Sequence, residues 1–132
     1  MIKILADTSV WIDFLNDRDL PHVQTLGYHL THSLVCSCPP VVQEVLQGIG
    51  NDAKYETVKD LLLTLEIFTS DPLQAAVEAA EMFRLLRKRG LTIRKPNDCL
   101  IAWYAIRNKV KLLEADSDYK LIAKSTPLEL TK

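Results

Sequence analysis

Apolar residues gather in short, mostly apolar runs, separated by stretches in which they recur every third or fourth position. Residues 2–6, 34–37, 66–68 and 111–115 are such runs and read as strands, with 128–130 as a fifth. Helical spacing fills the intervals. Val10, Trp11, Phe14 and Leu15 follow Asp7-Thr8-Ser9, residue types that cap a helix start, and Asp13, Asn16 and Asp17 take the water side. Pro21 opens a helix reaching about Thr31, and Pro39-Pro40 suit the first turn of the next. Its stripe is Val41, Val42, Val45, Leu46 and Ile49, ended by Gly48 and Gly50; Tyr55, Val58, Leu61, Leu62 and Leu65 mark a fourth helix. Asp71-Pro72 starts a long helix, with Asp71 as cap and Leu73, Ala76, Val77, Ala80 and Phe83 as the expected buried face, and Gly90 stops it. Further helices cover roughly 96–108 and 117–124.

Strands alternating with helices predict an α/β fold with a parallel sheet. Near-continuous apolar strands fit a sheet covered on both faces. In such sheets ligands bind beyond the carboxyl ends of the strands, where strand order reverses. Asp7 directly follows the first strand and Asp116 the fourth, so neighbouring strands would bring both carboxylates to that edge.

Length and composition narrow the picture. The 132 residues make one domain, 1–132, and 48% hydrophobic with 25% charged residues is ordinary for a folded globular chain. A formal net charge of -1 means that nucleic-acid binding needs a local basic patch. No apolar run approaches the ~20 residues of a membrane span. The apolar stretch before Asp7 is too short for a signal-peptide core, so a cytoplasmic location is expected. Cys36, Cys38 and Cys99 lack disulfide-framework spacing and read as reduced thiols.

The candidate chemistry lies in Asp7, Glu44, Asp98 and Asp116. Each has a bland reading: Asp7 as a helix cap, Glu44 as a solvated residue, Asp98 as a first-turn acid, Asp116 as a turn residue. Together they suggest more. Glu44 has Val41, Val45 and Leu46 around it, and a carboxylate among apolar neighbours is costly without a partner. Asp98 begins an apolar helix, and no lysine or arginine adjoins Asp7, Glu44 or Asp116 in the sequence. Converging carboxylates without cations call for a metal, and hard oxygen ligands select Mg²⁺ or Mn²⁺, one or two per site. Phosphodiester hydrolysis is the chemistry such a site serves, because a metal lowers the pKa of water and a second stabilises the leaving oxygen.

Other residues carry weaker signals. Arg84, Arg87, Lys88, Arg89, Arg94 and Lys95 gather before Asp98. They suit a helix end, and Arg87, Arg94 and Lys95 also suit phosphate contact with RNA. Ser9 could steady a metal-bound water or simply cap the helix. A zinc site from Cys36, Cys38 and Cys99 or a histidine lacks the usual spacing, and His29 and His32 have no third ligand. Trp11 and Trp103 read as core.

Asp7-Thr8-Ser9-Val10-Trp11-Ile12-Asp13-Phe14-Leu15 resembles the opening of a PIN domain of the VapC toxin family. Glu44 matches the family's helix glutamate, Asp98-Cys99-Leu100-Ile101-Ala102 its Asp-x-Leu-Ile-Ala segment, and Asp116-Ser117-Asp118-Tyr119 its Asp-x-Asp-Phe turn, with tyrosine for phenylalanine. The match runs in order along effectively the whole chain. The resemblance implies a doubly wound α/β/α sandwich of about five short strands and divalent-metal endoribonuclease activity on tRNA or rRNA. It also implies a homodimer, and toxicity restrained by a cognate antitoxin. The expected ligands and catalytic residues are Asp7, Glu44, Asp98 and Asp116, with Ser9 and Asp118 behind them. Glu114 departs from the family pattern by placing an extra acid at the fourth corner. An antitoxin segment would lie along apolar helix faces near Val10, Trp11, Phe14, Tyr55 and Leu62, pushing an arginine towards the carboxylates.

Two alternatives compete. A receiver-like phosphoacceptor domain would use Asp71 after the third strand, but Asp7 lacks an acidic neighbour and no lysine matches. A catalytically inactive RNA-binding PIN module would not need all four acids.

Overall fold

The computed structural model describes residues 2–131. The elements run β1 (Ile4–Ala6), α1 (Thr8–Leu15), α2 (Pro21–Thr31), β2 (Val35–Ser37), α3 (Pro39–Gln47), α4 (Asp52–Leu63), β3 (Glu66–Ile67), α5 (Pro72–Lys88), α6 (Asn97–Arg107), β4 (Lys111–Leu113) and α7 (Asp118–Ser125). The strands form one parallel sheet in the order β3-β2-β1-β4. The chain winds outward from β1 through β2 to β3, then crosses back to place β4 on the other side. β1 is thus the switch point, and its carboxyl end is where a doubly wound sheet opens a crevice.

Every residue of β1 and β2 is buried, so both sheet faces are covered. The core also takes Trp11, Leu26, Leu62, Leu86, Ile101 and Ile122, all fully buried. Trp103 is 5% exposed, and both tryptophans are core residues as the sequence suggested.

Helix starts follow local chemistry. Asp7 accepts a hydrogen bond from the Val10 amide at 3.2 Å, and Asn51 caps α4 through the Lys54 amide at 2.8 Å. Pro21, Pro39 and Pro72 occupy first-turn positions, where a missing N–H costs nothing.

Three expectations change. The fifth strand is reduced to a single parallel bridge, Leu112 to Leu130, with the Leu112 amide donating to the Glu129 carbonyl. Pro127 precedes it, and proline cannot donate to a ladder. Asp71 stands at the N-cap of α5, but its side chain makes no capping hydrogen bond. It adopts a left-handed φ of 53° and pairs with Arg107 at 2.6 Å instead. On α5, Ala75, Ala79 and Leu86 are buried, whereas Leu73 is 78% and Val77 50% exposed. The helix carries two apolar stripes, and α6 packs on the one whose small Ala75 and Ala79 allow close approach. Ala76 and Ala80 are exposed, and Phe83 is half-buried.

Candidate metal centre

Four buried acids converge at the crevice. Asp7, at the end of β1, donates its amide to the Leu113 carbonyl at 3.0 Å, which ties the carboxyl ends of β1 and β4 together. Asp98 stands in the first turn of α6, and Asp116 and Asp118 bracket the start of α7. Asp98, Asp116 and Asp118 each offer a carboxylate oxygen within 4.8 Å of the other two. Asp118, read as lying behind the ligands, is the third member of this trio. No histidine or cysteine joins any such cluster among the described residues. Burial pushes the Cys36 and Cys99 thiols up to about 11, and the His29 and His32 rings bond carbonyls of their own helix at 2.8 Å each.

Neighbours orient each carboxylate. Ser9 donates its hydroxyl to Asp7 Oδ2 at 2.8 Å. Tyr119, fully buried, donates its phenol to Asp98 Oδ1 at 3.1 Å, while Asp98 Oδ2 is buried with no partner among the described residues. Half-buried Glu44 accepts a 2.6 Å hydrogen bond from the Thr8 hydroxyl, which joins α3 to α1 at the crevice. Sequence reasoning missed the Thr8 and Tyr119 contacts, although each residue sits in a motif that carried the family resemblance.

Charge is distributed unevenly. Burial lifts the Asp7 carboxyl to about 7, with Ser9 and the Val10 amide opposing and the Asp98 and Glu114 charges adding. Burial also lifts Asp98 to about 6, and the Asp116 and Glu44 charges add while Tyr119 and Lys95 oppose. Glu114 is raised, chiefly by burial, and lies close enough to repel Asp7. At Asp116 burial is outweighed by the Asp118 amide and by Lys95 and Arg94, so its carboxyl titrates lower than usual.

Those two cations correct the sequence reading. Asp116 has no cation beside it in the chain, but the segment before α6 delivers two. Arg94 Nη2 reaches Asp116 Oδ1 at 2.9 Å, its Nε reaches Asp118 Oδ2 at 3.2 Å, and Lys95 Nζ lies 3.5 Å from Asp116 Oδ2. Arg87 lies instead against the Phe83 ring, 5.7 Å from its centroid.

A buried unpartnered carboxylate oxygen beside two further carboxylates fits a hard divalent cation, because isolated buried charge is otherwise expensive. Asp7 and Asp98, without a cationic partner at hydrogen-bonding distance among the described residues, are the corner most in need of one.

Comparison with known proteins agrees with this architecture. The PIN domain family model matches residues 4–125. The chain is 30% identical over 128 residues to Ribonuclease VapC11 of Mycobacterium tuberculosis and to a VapC ribonuclease of Mycobacterium bovis, covering 96% of this chain and 96% of each relative. VapBC2 from Rickettsia felis, solved bound to a promoter DNA fragment, superposes with a TM-score of 0.73 at 20% identity, covering 99% of this chain and 98% of that one. DNA-bound VapBC from Salmonella typhimurium gives 0.73 at 19% identity with the same coverage. The β3-β2-β1-β4 order and the place of Asp71, paired with Arg107 away from the crevice, leave no role for a receiver-like phosphoacceptor. Motifs, fold and relatives agree along nearly the whole chain, which belongs to the PIN-domain family and within it to the VapC ribonucleases.

Proposed function

We propose that this chain is the toxin of a toxin–antitoxin pair, an endoribonuclease that hydrolyses RNA phosphodiester bonds with Mg²⁺ or Mn²⁺ as cofactor. One observation carries the reading: Asp98 presents a buried, unpartnered oxygen in a trio of carboxylates beyond the switch point of the sheet. Asp7, Glu44, Asp98 and Asp116 would hold one or two cations. When bound, such a cation polarises water for attack on phosphorus and offsets charge on the leaving oxygen.

The chain's own residues do the rest. Ser9 and Tyr119 fix the rotamers of Asp7 and Asp98, and Thr8 fixes Glu44. Asp118 binds the Arg94 amide at 3.1 Å and so holds the loop before α6 against α7. Arg94 and Lys95 are exposed at the site and Arg87 is exposed at the end of α5, and RNA phosphates are the anions they suit. RNA of the tRNA or rRNA class is the substrate we infer. No described helix is long and apolar enough to cross a membrane, and a cytoplasmic location suits an RNA-cleaving toxin.

A groove of about 330 Å³ between α1, α3 and α4, lined by Ile12, Leu15, Val45 and Ile49 with Glu44 on its rim, suits an amphipathic antitoxin segment. It replaces the face first expected. Val10, Trp11 and Leu62 are turned fully into the core, and Phe14 and Tyr55 are half-buried. The exposed α5 stripe, Leu73, Ala76, Val77 and Ala80, supports a homodimer.

RNA cleavage with manganese tests the function directly. Wild type should cut RNA, chelator should stop it, and Asp98→Asn should be inactive. Cleavage by Asp98→Asn at the wild-type rate would remove Asp98 from the site.

A further inference from the structure

Arg94 is bound in an unusual way for an exposed side chain. Its side chain is 64% exposed, yet its guanidinium spans two buried carboxylates, 2.9 Å from Asp116 Oδ1 and 3.2 Å from Asp118 Oδ2. Asp116 and Asp118 belong to the same close trio as Asp98. The guanidinium therefore sits on two of the three carboxylates that a divalent cation in that trio would meet, and two positive groups cannot share them without strong repulsion. The arginine is also tethered independently of its charge. Its backbone amide donates to Asp118 Oδ2 at 3.1 Å, and the preceding residue, Ile93, is buried in the core. The loop thus stays in place if the guanidinium leaves, and only side-chain torsions need to change.

We propose that Arg94 is a built-in competitor for the divalent cation: it neutralises Asp116, which would hold the cation, together with the adjoining Asp118, and cation binding turns it outward to receive an RNA phosphate. This rests on the metal-dependent reading above. One side chain then couples two events. Loading the site displaces a charge, and the displaced charge is delivered, still anchored by its amide, to the mouth through which a polyanion must enter. Metal and RNA would bind with positive cooperativity, because each removes an obstacle to the other. Lys95 lacks the forked geometry and touches Asp116 alone, so it cannot replace Arg94 in this exchange.

The test is calorimetric Mn²⁺ binding to wild type, Arg94→Gln and Arg94→Lys, with melting curves confirming that each variant is folded. Arg94→Gln should bind Mn²⁺ more tightly, by about five-fold or more, the lower range of typical coupling. Arg94→Lys, which keeps charge but loses the fork, should fall between. A second readout uses a phosphorothioate oligouridine that resists cleavage. Its binding to wild type should lose affinity with salt more steeply than its binding to Arg94→Gln, by a slope difference of roughly 0.7. That difference should appear with Mn²⁺ and vanish in chelator, where the guanidinium is held by the aspartates. Wild-type or weaker Mn²⁺ affinity in Arg94→Gln, or a slope difference indifferent to metal, would make Arg94 a fixed orienting group and overturn the proposal. Failure of wild type to bind Mn²⁺ would instead bring down the metal-dependent function itself, and this proposal with it.

Discussion

The Tyr119 phenol donates to one oxygen of Asp98 at 3.1 Å, and the other oxygen of that carboxylate is buried without a partner. A half-satisfied buried carboxylate has a definite energetic signature. Tyr119→Phe removes the one hydrogen bond and leaves the charge in place, so it should cost about 1–3 kcal/mol, the desolvation penalty of a group left unpaired. Urea unfolding at neutral pH measures this. In the Asp98→Asn background the same change should cost much less, since the amide carries no charge. Equal costs in both backgrounds would mean that Tyr119 serves packing alone.

Stability should depend on pH with a particular sign. Asp7 is held up at about 7 and Asp98 at about 6, both chiefly by burial, from an ordinary value of 3.8. Between the ordinary and folded values the native state holds protons that the unfolded chain has released. Stability from these two groups therefore falls as pH rises through that window, and the loss persists above it. Asp116 has the opposite sign: its lowered value contributes stability above the ordinary carboxylate range, and that contribution is lost in stronger acid. In chelator, melting temperature should be higher at pH 5 than at pH 8. A flat profile would show that these carboxyls are not strained.

Manganese should reverse the loss. At ~100 times its dissociation constant a ligand adds roughly 2.7 kcal/mol, which for a domain of this size is several degrees of melting temperature. Asp98→Asn keeps the oxygen that Tyr119 holds but drops the charge that repels Asp7. It should melt above wild type in chelator at pH 8 and gain much less from manganese. Equal metal shifts in the two proteins would make Asp98 a plain helix-end acid.

Outer contacts should matter for metal affinity as well as ligands. Thr8→Val and Ser9→Ala free the rotamers of Glu44 and Asp7, and loss of such supporting bonds commonly costs about 10–100-fold in affinity or activity. Manganese titration and cleavage rates should both fall in that range, with Asp7→Asn falling further.

The exposed stripe of α5 offers a test of assembly. Val77→Glu lies on the surface, so folding should change by no more than about 0.5 kcal/mol. If two chains associate through this face, light scattering should show a dimer for wild type and a monomer for the variant. A dimer that survives the change uses another surface.

How much of this was legible beforehand differs from residue to residue. β1 and the Asp7 turn were plain, because a short apolar run ending in a capping acid has few other readings. The α6 start was equally plain, with Asp98 followed by an apolar helix. The buried face of α5 was not legible, because Ala75, Ala79 and Leu86 and the rival stripe of Leu73, Ala76, Val77 and Ala80 both repeat at helical spacing. Only the partner helix chooses between them. Arg94 was visible as a cation but not as the counter-charge of Asp116 and Asp118, residues more than twenty positions away that only the fold brings to it. Local sequence reports which groups an element presents; it is silent on what comes to meet them from elsewhere.

β1 is bordered on one side by β2, which follows it closely in the chain, and on the other by β4, which comes after every other strand. A ribosome producing this chain therefore emits Asp7 well before β4 and Asp116. The nascent polypeptide has no complete carboxylate set until the segment carrying Asp98, β4 and Asp116 has emerged. The residues that line the groove between α1, α3 and α4 are all made before that, since the last of them is Lys54. A restraining partner already present in the cell could thus recognise the toxin before the toxin is able to act.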